Sequence, residues 1–139
     1  MCDKELFERK IMDLYEYRTA VRERERMRAE ENLAQYIEAK KSPKAAGGGG
    51  SGAGESDLSR YLEKEEELRE ELWKIMEETE RIKKEKLRKI AQIESEDEKD
   101  VLIKKYIYFK PMKDIAVEMD KDRSTIWRLH KKAILDYQV

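Results

Sequence analysis

The stretch RSTIWRLHKK, residues 123–132, sets four Arg and Lys side chains beside Ser, Thr, Trp and the chain's single His, with no acid among them. Arg offers a rigid fork of donors for guanine O6 and N7, Ser and Thr meet phosphates or base edges, and Lys neutralises backbone charge. On one helix, Arg123, Ser124, Thr125, Trp127, Arg128, Lys131 and Lys132 form an inventory suited to double-stranded DNA. Arg123 and Arg128 are the candidates for base readout, and Lys131 and Lys132 for phosphate contact. Trp127 suits either a thymine methyl or packing against the preceding helix.

Other chemistries find less support. His130 has no Cys or carboxylate at chelating spacing on its helix face, and one His with one Cys, Cys2, makes neither a structural zinc site nor an internal disulfide. The Glu-dense run over 63–71 reads as a solvated helix face that encloses no pocket. No catalytic set emerges, so the chain is expected not to be an enzyme and to need no metal or cofactor.

The elements that must position the basic run follow from its neighbours. Asp122 suits the N-cap of a helix over 123–137, and a shorter helix begins near Met112. Two helices that cross steeply need a small residue at closest approach, and Ala116 supplies it. Ile115, Met119, Ile126, Leu129, Ala133 and Ile134 fall at the inward positions. Before them, Ser95 with Glu98 forms a capping-box signature for a helix over 96–109, with Leu102, Ile103, Tyr106, Ile107 and Phe109 as its buried face. The aromatic run YIYF, residues 106–109, is expected in the core, and Pro111 ends this helix while suiting the start of the next.

Residues 3–41 carry no Pro or Gly and place Phe7, Ile11, Leu14, Val21, Leu33 and Tyr36 at roughly one helix face, interrupted by the charged run RERERMRAEEN. A Gly-rich linker, 42–56, follows; it lacks the Lys and Ser/Thr that would end a phosphate-binding loop. A second long helix is expected over 57–94. Alternating steps of four and three from Tyr61 give Glu65, Leu68, Leu72, Ile75, Thr79, Ile82, Lys86, Lys89 and Ile93, and Leu58, Leu62, Met76, Leu87 and Ile90 widen the stripe. Residues 95–139 then form the helix-turn-helix unit. Net charges of 0 over 1–56, −5 over 57–100 and +4 over 101–139 set a basic end against an acidic rod. No apolar run is long enough to span a bilayer, and MCDKELFERK is no signal peptide; a cytoplasmic location is expected.

Over residues 102–134, the segment YIYFKPMKDIAVEMDKDRSTIWRLHKKAI and its flank resemble region 4 of sigma-70-type factors. The resemblance is closer to small phage and prophage proteins that end in such a module, including ArpU-type regulators of late transcription. It implies a sequence-specific transcriptional regulator in a bacterial host cell, with RNA polymerase as a possible partner. Two positions depart from the family pattern: Asp120 stands where the turn usually has Gly, and Lys121 where it is usually apolar. The rest of the chain is too short and too charged to hold a promoter-melting domain, which excludes a complete sigma factor.

The expected fold is all-α: two long helices, as a hairpin or coiled coil, followed by the helix-turn-helix. The long helices are the expected homo-oligomer element, most simply a dimer. Two other readings are a DNA-packaging subunit of the small-terminase type and a coiled-coil adaptor that binds only protein.

Overall fold

The computed structural model describes residues 2–41 and 53–139, and these form five α-helices. They are α1 (Asp3–Lys41), α2 (Ala53–Ala91), α3 (Glu96–Leu102), α4 (Met112–Glu118) and α5 (Arg123–Asp136), with a wider π-type turn at Ile103–Ile107 continuing α3. The expected linker lies outside the described residues except for 53–56, which belong to α2. No helix among the described residues is long and apolar enough to cross a membrane.

The two long helices pack as an antiparallel hairpin. The chain divides into two compact units, one comprising residues 1–21 and 79–139, the other residues 22–78. In the first, Thr79 donates to the Ala20 carbonyl while Lys86 meets Asp13 and Glu16, so advance along α2 is retreat along α1. In the second, Gln35 bonds Glu65, and Arg69 pairs with Glu31 at 3.7 Å, giving the same antiparallel order.

Every residue of the four-three series, from Tyr61 on α2 to Ile93 just past its end, is buried or half-buried, including the polar Glu65, Thr79, Lys86 and Lys89. The widening positions are less uniform: Ile90 is buried, whereas Leu62 is exposed. On α1, Leu14 and Val21 face inward as expected, but Leu33 points to solvent. The inward series there passes through Tyr17, Val21, Met27 and Ala34, which places Leu33 on a different face.

The hairpin ends and the C-terminal helices share one core in the first unit. Leu14, Tyr17 and Val21 of α1 and Ile82 and Ile90 of α2 cluster with Leu102, Tyr106, Ile107, Ala133, Ile134 and Tyr137. Lys86, wholly buried, is neutralised by Asp13 at 3.0 Å and Glu16 at 2.9 Å, and Lys89 also reaches Asp13. Tyr137, equally buried, donates its hydroxyl to Asp13 at 2.5 Å, and Lys10 donates to the Leu135 carbonyl at the C-terminal end of α5. Burial alone would raise the Asp13 pKa; hydrogen bonds from Tyr137, Lys86 and Lys89 outweigh it and hold the carboxyl below its ordinary value.

The start of α3 follows the expected cap in half. Glu98 N–H donates to Ser95 Oγ at 3.3 Å, but the Glu98 side chain turns inward to Lys132 instead of back to the cap. In the run YIYF, Tyr106 and Ile107 are buried while Tyr108 is exposed. Phe109 takes a left-handed φ of 58°, and its ring stacks on Tyr17 at 5.6 Å. Such a backbone is costly for a bulky residue.

Candidate nucleic-acid interface

A second core cluster joins α3, α4 and α5. Val101, Met112, Ile115, Ala116 and Ile126 are buried together, with Met119 and Leu129 packed against them. The inward positions named on the two helices therefore meet, with Ala116 buried among them.

The turn between α4 and α5 has a Schellman-type closure. Lys121 N–H donates to the Ala116 carbonyl at 3.0 Å and Asp120 N–H to Val117 at 3.2 Å, which requires Asp120 in the left-handed region, at φ 53°. Asp is among the few non-Gly residues that visit it readily. Lys121 reaches Asp97 at 3.6 Å, so where an apolar side chain would pack there is an ion pair to α3. Asp122 occupies the N-cap of α5 with extended backbone, and Ile126 N–H donates to its carbonyl; its carboxylate makes no capping bond.

On α5, Ile126, His130, Ala133 and Ile134 are buried. At 100° per residue, Ser124, Trp127, Arg128 and Lys131 share the opposite, exposed arc, together with Leu135. Arg123, also exposed, lies at the helix start and lines a shallow cleft with Lys113, Val117 and Lys121. Thr125 and Lys132 fall on the edge away from Trp127: Thr125 is half-buried and Lys132 pairs with Glu98 at 3.4 Å. The structure thus gathers Ser124, Trp127, Arg128 and Lys131 into one surface, with Arg123 at its end and Thr125 and Lys132 at its margin.

Trp127 is 54% exposed, its ring edge-on to His130 at 5.8 Å. His130 is held in the core by Tyr106, whose hydroxyl lies 2.8 Å from Nε2. Burial, and secondarily the charge of Lys105, lower its pKa to about 4, so the ring is neutral near pH 7. His130 is a packing residue here.

Glu98, also buried, has the opposite shift. Burial and the nearby Asp136 carboxyl raise its pKa, against Lys132, which lowers it.

Val117 and Lys113 complete the turn surface and were not legible as site residues from the basic run alone. Val117 is 80% exposed. The inward pattern of Met112, Ile115, Ala116 and Met119 already implies that Lys113 and Val117 face out. Among the described residues no group of three or more His, Cys, Asp or Glu could hold a metal ion. No family model, curated protein or solved structure matches the chain.

Proposed function

We propose that the chain is a sequence-specific double-stranded DNA-binding regulator that lays α5 in the major groove. The observation that carries this reading is the division of α5 into a buried apolar face and an exposed arc bearing Ser124, Trp127, Arg128 and Lys131 with no acid on it. The fixed turn at Asp120 and the small Ala116 support it, because they hold α5 rigidly while leaving its N-terminal half open to a groove. Arg128 and Arg123 read base edges, Lys131 meets phosphate, and Val117 offers an apolar contact for a thymine methyl.

The resemblance over 102–134 supports the narrower reading, a phage or prophage regulator acting beside RNA polymerase. The hairpin is then the element for self-association or for a partner. Leu33, Ile37, Leu62 and Trp73, all exposed on the second unit, favour that assignment.

Selection of bound fragments from a pool of random duplexes at two salt concentrations, followed by sequencing, tests the reading. One enriched motif is expected. A palindrome indicates a dimer and an asymmetric element a partner of polymerase; enrichment without a motif indicates packaging or architectural binding. On the selected site, Arg128→Ala should cost about 1–3 kcal/mol and relax preference at one base position. No enrichment at either salt overturns the reading in favour of a protein-binding adaptor.

A further inference from the structure

Lys105 is half-buried on the π-type turn and has no carboxylate partner among the described residues, whereas Lys104 and Lys110 on either side of it both reach Glu118. The charge that bears on it is another cation. Arg18 of α1 lies close enough to disfavour the Lys105 ammonium, adding to the effect of burial. Both cations rest on aromatic rings, Arg18 5.8 Å from the centre of Phe109 and Lys105 5.8 Å from that of Tyr106.

The sequence leaves the pair unneutralised on both elements. At three and four positions either side, Arg18 has Leu14, Tyr15, Val21 and Arg22, and Lys105 has Val101, Leu102, Tyr108 and Phe109. No acid is available at helical spacing to either. Lys105 is half-buried and Arg18 is exposed, so an anion arriving from solvent can reach Arg18 directly and relieve the repulsion it exerts on Lys105.

Their place in the fold relates them to α5. Lys105 lies over Tyr106, the Tyr106 hydroxyl meets His130, and His130 is edge-on to Trp127 of the exposed arc of α5. Tyr15, T-stacked on Tyr106 at 5.3 Å, closes the other side of the row. Tyr106 thus joins both cations to α5: Lys105 lies over its ring, Tyr15, three residues before Arg18 on α1, packs on its edge, and its hydroxyl meets His130 beside Trp127.

We propose that Arg18 and Lys105 form a phosphate-binding clamp, built from α1 and the π-type turn, that holds the DNA backbone flanking the groove occupied by α5. This rests on the DNA-binding reading of α5. It makes the first helix of the hairpin part of the nucleic-acid surface, not only a scaffold for it. Phosphate is held by charge and by the forked Arg donors, while the rings beneath both side chains limit their freedom before binding.

The test is the salt dependence of full-length protein binding to the duplex recovered by selection. The Arg18→Gln, Lys105→Gln double variant should bind the same motif with the slope of log K against log salt shallower by about 1.8, as two lost phosphate contacts require. The charge-conserving Arg18→Lys, Lys105→Arg variant should keep most of the wild-type slope, and thermal melts of both should show folded protein. A wild type that binds the selected duplex with a slope the double Gln variant leaves unchanged overturns the clamp alone. A wild type that binds no duplex overturns the clamp and the DNA-binding reading together. An equal fall in slope for Arg88→Gln, an exposed cation on α2, also overturns the clamp, because net charge then explains the effect.

Discussion

His130 offers a direct test of how α5 is held. Its imidazole is 7% exposed, takes or gives one hydrogen bond to Tyr106, and has a pKa lowered to about 4 by burial and by Lys105, from an ordinary 6.5. An imidazole with a lower pKa in the folded chain picks up its proton first in the unfolded chain. Its contribution to stability is therefore fully present above 6.5 and is lost as pH falls toward 4. The gap between the two values corresponds to a loss of about 3 kcal/mol. Glu98 acts in the other direction: a carboxyl whose folded pKa is raised gains stability as pH falls through that raised value, so the two effects partly mask each other in the wild type. Urea unfolding of wild type and His130→Gln at intervals from pH 7.5 to pH 4 separates them, since both proteins carry Glu98. The stability difference between the two should shrink by about 3 kcal/mol across that range. As the chain has one His, its ring signal in a proton NMR titration is unambiguous and should move near pH 4. A stability difference that stays flat with pH, or a ring that titrates near 6.5, would refute the buried neutral imidazole and with it the packing of α5 on Tyr106.

Asp120→Gly should stabilise the protein by about 0.5–1 kcal/mol, because the residue at φ 53° closes a Schellman turn that Gly enters without a Cβ penalty; denaturant midpoints measure it, and a loss of stability would count against the turn geometry. Tyr137→Phe removes the hydroxyl donated to the buried Asp13 and should cost about 1.5–3 kcal/mol, read from the same midpoints. In that variant Asp13 loses one of the bonds that lower its pKa, so the acid limb of the stability curve should move toward higher pH. An unshifted acid limb would mean that Lys86 and Lys89 alone set the Asp13 pKa.

The periodicity of α2 made its buried face readable because each inward position, polar ones included, recurs at four-three spacing through to Ile93. The charged inward positions Lys86 and Lys89 carried no sign of their role in sequence, since their carboxylate, Asp13, stands on a helix more than seventy residues away. The packing of the two short C-terminal helices was legible from local sterics: a small Ala116, inward Ile115, Ile126 and Leu129, and an Asp able to turn left-handed. Leu33 and Tyr108 misled because hydrophobicity alone does not set a face; the inward series on α1 and the π-type turn after Leu102 rotate both outward. Arg18 and Lys105 could not be paired from sequence, as nothing local indicates that α1 returns to the turn between α3 and α4.

The orientation of α5 is determined from both ends, and by different chemistry at each. Its start is fixed by the turn that closes on Ala116 and by Ile126 in the small cluster with Val101 and Ile115. Its end is fixed on the hairpin: Lys10 meets the Leu135 carbonyl, and Tyr137 reaches Asp13, the same carboxylate that neutralises Lys86 and Lys89. Between them His130 lies against Tyr106, which touches Tyr15 of α1. A helix proposed as a DNA probe is thus tied to α1 at two points directly and at a third through Tyr106, by side chains that make specific hydrogen bonds or ring contacts. Rotating α5 about its axis would break the Tyr106 bond and the Asp13 bond together while burying Arg128 or Lys131, and each of those losses costs more than a surface contact returns. On the proposed reading, the surface that would enter a groove is therefore set before DNA arrives, so that binding would spend little on ordering it.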